Sequence, residues 1–137
     1  MALMSKAAIV TGAAQGIGKA IAARLVKDGM RVAIVDINQE AAVVAAEELA
    51  GQYGADTMAV QCDVSQEEQV NIAVQKVLER FGTVDVLVNN AGILSLKKPF
   101  VEYTKADWDK IFGKVIVGIT TFVMVVILVS GIVIWIP

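Results

Sequence analysis

The feature that most constrains this chain is a hydrophobic period that switches back and forth along its first 113 residues. Short continuous apolar runs at Ala7–Thr11, Arg31–Val35, Thr57–Gln61 and Val84–Val88 read as strands buried on both faces. Between and after them the apolar spacing becomes helical. Ile17, Ile21 and Leu25 fall four apart, and Gly29 is placed to stop that helix. Residues 39–50 are rich in strong helix formers and are closed by Gly51. Ser65 and Glu68 form a candidate capping box for a helix to about Arg80, with an inward stripe of Val70, Ala73, Val74 and Val77 and Phe81 beyond. Thr104 and Asp107 form another before a helix through Trp108 and Ile111. Strand and helix thus alternate four times through short connections. That pattern predicts a doubly wound α/β fold around a parallel sheet of about four strands.

Charge and composition remove whole classes of function. The chain has 137 residues, enough for one domain of ordinary size. Its net charge of −2, with no basic block, gives nucleic acid no electrostatic footing. It contains no histidine, which excludes Ser-His and Cys-His nucleophile pairs and imidazole-ligated metals, so no metal site is expected. A single cysteine, Cys62, permits no internal disulfide and suits a reducing compartment. The N-terminal residues lack the features of a signal peptide, and a cytoplasmic location is expected.

The chemistry-bearing segment is Thr11–Gly18, joining the first strand to the first helix. Glycines permit a tight turn and close backbone approach, while a helix N-terminus aims free N–H groups and a partial positive charge at phosphate. The spacing is G-x-x-x-G-x-G, through Gly12, Gly16 and Gly18. A tight turn that binds nothing is the competing reading. Asp36 ends the second strand, where a carboxylate can accept from the hydroxyls of an adenosine ribose. It would repel a 2′-phosphate, and no arginine lies in the loop or beside it, so NAD is favoured over NADP. A helix cap or turn role is the alternative for Asp36.

Thr11–Gly18, Asp36, Asp63-Val64 after the third strand and Asn89-Asn90-Ala91-Gly92 after the fourth occur together in one order and spacing. In this, with Trp108, residues 5–113 resemble the short-chain dehydrogenases/reductases. The resemblance implies a truncated Rossmann-type doubly wound sheet and an NAD-dependent oxidoreductase acting on an alcohol/ketone pair. It implies that Gly12, Gln15, Gly16, Ile17 and Gly18 cradle the pyrophosphate and that Asp36 holds the ribose. By the same resemblance Asp63 and Val64 flank the adenine, and Asn90, Ala91 and Gly92 line the nicotinamide side. The stretch 25–29 is most similar to acetoin/butanediol dehydrogenases within the family.

The family's catalytic groups are an Asn, a Ser and a Tyr-x-x-x-Lys pair, in which the lysine one helical turn on lowers the pKa of the tyrosine. Here Tyr53 is followed four residues later by Thr57, and Tyr103 by Asp107; position 115, where the Asn is expected, holds valine. No catalytic residue is therefore assigned, and this chain is not expected to turn over. Relatives run to roughly twice this length, so the second half of the fold is absent, and Val84–Val88 would become an exposed sheet edge.

Residues 1–113 are read as the NAD-binding segment and 114–137 as an apolar tail. From Val115 to Pro137 there is no charge, and Lys110 and Lys114 precede it. As a helix, 115–136 would extend about 33 Å, enough to span a bilayer with residues 1–114 on the cytoplasmic side. The tail is equally rich in Val, Ile and Thr, as strands are. Three origins compete: a frameshifted or chimeric gene end, a membrane anchor, or a soluble segment packed on the sheet. A dinucleotide-binding module held at a membrane is the alternative function. Oligomeric state is left open.

Overall fold

The computed structural model describes residues 6–91, 102 and 104–106, and the backbone of residues 124–129 and 132–136. The chain enters through β1 (Ala7–Thr11), whose five residues are all buried, as its continuous apolar run requires. It then alternates through α1 (Gly16–Lys27), β2 (Arg31–Asp36), α2 (Gln39–Tyr53), β3 (Thr57–Gln61), α3 (Glu67–Phe81) and β4 (Val86–Asn89). These four strands pair in parallel in the order β3-β2-β1-β4.

Handedness decides which face each helix covers. From β1 to β2 to β3 the chain steps one way along the sheet, and right-handed crossovers put α1 and α2 on one face. The step from β3 to β4 runs back past β1, so α3 covers the other face. Accordingly Ala8, Val10, Val32, Ile34 and Val88 pack with Ala22, Val26, Ala42, Ala45 and Leu49. Their neighbours Ala7, Ile9, Ala33, Val35 and Leu87 pack with Val70, Ala73, Val77 and Phe81. The α3 stripe is the one its spacing predicts.

Helix ends show where local signals hold. The Met30 amide donates to the Leu25 carbonyl at 3.1 Å and the Gly29 amide to Val26 at 3.0 Å. With Gly29 at φ 95°, these two bonds make a Schellman stop. For α2 the expected stop at Gly51 lies inside the helix, and Gly54, at φ 63°, ends it. The Ser65–Glu68 capping box does not form. Ser65 donates both its amide and its hydroxyl to Asp63 Oδ1, at 2.9 and 2.7 Å, so the serine is turned back toward β3 and α3 begins after Gln66. Of the expected α1 stripe, Ile21 and Leu25 pack partly buried against the core while Ile17 is 70% exposed, and the fully buried positions are Gly18, Ala22 and Val26.

Beyond β4, β5 (Met124–Val129) runs parallel to it, from Val86 opposite Met124 to Asn89 opposite Ile127. β6 (Ile132–Ile136) returns antiparallel along β5. Of the readings offered for the tail, the spanning helix over 115–136 is corrected at these residues. β-branched side chains suit strands, and β4 supplies the backbone partners a strand needs. No helix among the described residues is long and apolar enough to cross a membrane. The strand β4 is likewise not the expected edge; β3 and β6 are. Thr104 precedes helical residues 105 and 106, whereas Asp107, Trp108 and Ile111 lie outside the described residues.

Candidate dinucleotide-binding site

The strand order turns around at β1: the chain goes to β2 on one side and later to β4 on the other. At such a reversal the connections leave in opposite directions and open a crevice at the carboxyl ends of the strands. The loop of residues 12–15 fills the bottom of that crevice and is pinned from both sides.

On the β2 side, the Ala13 amide donates to the Val35 carbonyl at 3.3 Å and the Ala14 amide to Asp36 Oδ2 at 3.1 Å. On the β4 side the pin is Thr11, 5% exposed. Its hydroxyl donates to the Val88 carbonyl at 3.3 Å and accepts from the Asn90 and Ala91 amides, each at 3.0 Å. The Asn90 side-chain amide donates to the carbonyls of Thr11 and Gly12, both at 3.1 Å. Glycine is required where these segments meet. A Cβ at Gly12, which also has φ 64°, would lie 2.9 Å from Ala91 Cα. One at Gly18 would run into the Gly12 carbonyl and the Asn90 amide.

The loop delivers the chain to a helix start that no side chain caps. Gln15, the residue before α1, is extended and makes no side-chain cap, and no acid occurs in the first turn. By contrast α2 is capped by Asn38 and carries Glu40, and α3 begins with Glu67 and Glu68. The first-turn amides of α1 therefore keep their donors and partial positive charge available to an anion. Gly16, at φ 60° with open space around it, leaves that approach clear.

Asp36 stands beside this helix start. Besides Ala14, it accepts from the Asn38 amide at 3.0 Å through Oδ1. An ionised carboxylate has about four acceptor positions, so hydroxyl donors can still be accommodated. Asp63 and Val64 follow β3, the strand next to β2, with Asp63 Oδ1 engaged by Ser65 and the Asp63 amide held by Gln69 Oε1 at 2.9 Å. Below this edge an open, mostly apolar cleft is lined by Ile9, Thr11, Val35, Cys62, Val64, Val74 and Asn89. Such a lining suits an apolar group and not phosphate. Burial, assisted by the negative charge of Asp63, pushes the Cys62 thiol up to about 11, leaving it protonated and unreactive at neutral pH.

The structure thus brings together Gly12, Gln15, Gly16, Ile17, Gly18, Asp36, Asn90 and Ala91, and sets Asp63 and Val64 on the adjoining strand end. Gly92 lies outside the described residues. Sequence reasoning placed Thr11 in the loop motif without showing its role, and did not single out Ile37. Thr11 is the centre of the β4 pin, and its bonds span 77 to 80 residues, which leaves no local signature. Ile37 is 64% exposed beside Asp36, an apolar surface at the mouth of the site that its position after the acid could have suggested. Tyr53 ends α2, and Thr57 donates to the Ala46 carbonyl at 2.7 Å, so neither makes a catalytic pair. Tyr103 and Asp107 lie outside the described residues. Among the described residues no group of three His, Cys, Asp or Glu gathers to hold a metal.

A glycine loop at the turning point of a doubly wound sheet, ending on a bare helix start with an acid at the next strand, defines a nucleotide-binding α/β protein. The sequence pattern of short chain dehydrogenases matches residues 6–130, and the chain belongs to that family, carrying its N-terminal part. It is 41% identical over 124 residues to a sorbitol dehydrogenase of Cereibacter sphaeroides, covering 90% of this chain and 46% of that one. The structure of L-sorbose reductase from Gluconobacter frateurii, complexed with NADPH and L-sorbose, superposes with a TM-score of 0.70 at 34% identity over 77% of this chain and 40% of the reductase. An NAD+-bound xylitol dehydrogenase gives 0.69 and 34%, covering 81% and 42%. The chain spans less than half the length of these relatives.

Proposed function

We propose that this chain is the cofactor-binding part of an NAD-dependent short-chain oxidoreductase acting on an alcohol/ketone pair. The observation that carries this reading is the doubly pinned loop that presents the bare start of α1 to an anion beside Asp36. In it the pyrophosphate meets the amides at Gly16, Ile17 and Gly18, and the adenosine ribose meets Asp36. Asp63 and Val64 flank the adenine, and Asn90 and Ala91 line the nicotinamide side. When bound, the dinucleotide supplies hydride chemistry; this chain's residues bind and orient it.

Asp36 favours NAD over NADP, since a 2′-phosphate there would bring like charges together in a partly buried place. The relatives do not decide this point, as one neighbour holds NADPH and another NAD+. Residues 1–113 carry the cofactor contacts. Turnover needs the Ser and Tyr-x-x-x-Lys that this sequence lacks, and the chain alone binds without reacting.

Fluorescence titration of the purified chain tests the reading. NADH binds at least about tenfold more tightly than NADPH, equivalent to about 1.4 kcal/mol. No alcohol or ketone then produces a change in NADH absorbance. Absence of NADH binding by a cooperatively folded chain would overturn the assignment, and equal affinities would overturn the preference.

A further inference from the structure

We propose that Asp36 is a positioning residue for the phosphate loop as well as the ribose acceptor, so that ribose selection and phosphate affinity are coupled through one carboxylate. This rests on the cofactor reading above and deepens it. Two consecutive loop amides, Ala13 and Ala14, point at the end of β2. The first is satisfied by a backbone carbonyl, which any residue would supply. The second is satisfied only by the Asp36 side chain, at 3.1 Å across 22 residues of sequence. The other carboxylate oxygen accepts from the Asn38 amide at 3.0 Å, which fixes the rotamer and ties it to the cap of α2.

Ala14 is buried and immediately precedes Gln15, from which α1 departs. Without the carboxylate, a buried N–H loses its acceptor, and the loop must shift to find another or water. A shift there moves the first-turn amides that face the phosphates. A substitution that removes the carboxylate to admit a 2′-phosphate would therefore loosen the phosphate grip at the same time.

The test separates the strut from the ribose contact by truncating the ligand. ADP and 2′,3′-dideoxy-ADP are titrated against the wild-type chain, Asp36→Ala and Asp36→Asn, with thermal melts to establish folding. The dideoxy ligand has no hydroxyl for residue 36 to accept, so any remaining dependence on that residue comes through the loop. Affinity for the dideoxy ligand falls about tenfold in Asp36→Ala and less in Asp36→Asn, whose single amide oxygen serves one of the two donors. Amide exchange at Ala14, measured without ligand, quickens in the same order.

Equal dideoxy-ADP affinity in all three proteins, with unchanged exchange at Ala14, would overturn the strut. A folded wild-type chain that binds neither nucleotide would instead overturn the cofactor reading, and exchange at Ala14 would then decide the strut alone.

Discussion

Gly18 is the position where a single methyl group would do most damage. Its backbone is ordinary, so the constraint is space: an added Cβ meets the Gly12 carbonyl and the Asn90 amide, two members of the β4 pin. Gly18→Ala must push α1 away from the loop, with an overpacking cost of about 1–3 kcal/mol. Urea denaturation registers that loss, and NADH titration registers the displaced helix start as weakened binding. Gly16→Ala differs, because open space surrounds it and only its φ of 60° resists substitution. Its stability falls by about 1 kcal/mol. Asn90 shows how a motif residue can be recognised before its work is understood. Its place at the end of β4 suggested a cofactor contact, whereas its amide nitrogen is engaged by the carbonyls of Thr11 and Gly12.

Among the elements, α3 allows the sharpest contrast between a helix face that matters and one that does not. Phe81 is 4% exposed, and Arg31 and Arg80 lie over its ring with guanidinium carbons 5.3 and 5.7 Å from the centroid. Phe81→Ala removes that packing at about 3–5 kcal/mol. Ile72, 49% exposed on the same helix, changes stability by less than about 0.5 kcal/mol as Ile72→Ala. Denaturant midpoints of the two variants check the difference, and similar losses would contradict the assigned face. The α3 stripe was legible because periodicity is local and burial follows it. The strands of the first four units were legible for the same reason. What sequence concealed was the Ser65 hydroxyl satisfied by Asp63 in place of the helix start, and the deeper burial of Gly18, Ala22 and Val26 beside the partly buried Ile21 and Leu25. For the tail, length and lack of charge suggested a spanning helix, but neither property records that β4 takes a parallel partner from residues 124–129.

At the scale of the whole molecule, stability falls in alkaline solution through Cys62. Folded, this thiol keeps its proton to about 11, against an ordinary value of 9.0. Between those values the unfolded chain binds fewer protons than the native one, so stability declines as pH rises through that window and is unaffected by this group below it. Unfolding free energies at about pH 8 and about pH 10 show the decline, and Cys62→Ala reduces it. A decline of the same size in the variant would assign it to other groups.

The order of the strands also sets a timetable for synthesis. β1, β2 and β3 with α1 and α2 form a contiguous unit whose strands pair with near neighbours in sequence. The β4 pin joins Thr11 to Asn90, 79 residues later. A ribosome adding about 5–20 residues each second thus leaves the glycine loop without its second support for several seconds after the loop has emerged. Until β4 arrives the cradle is incomplete, and a dinucleotide that binds the closed form stabilises it by mass action once β4 is in place.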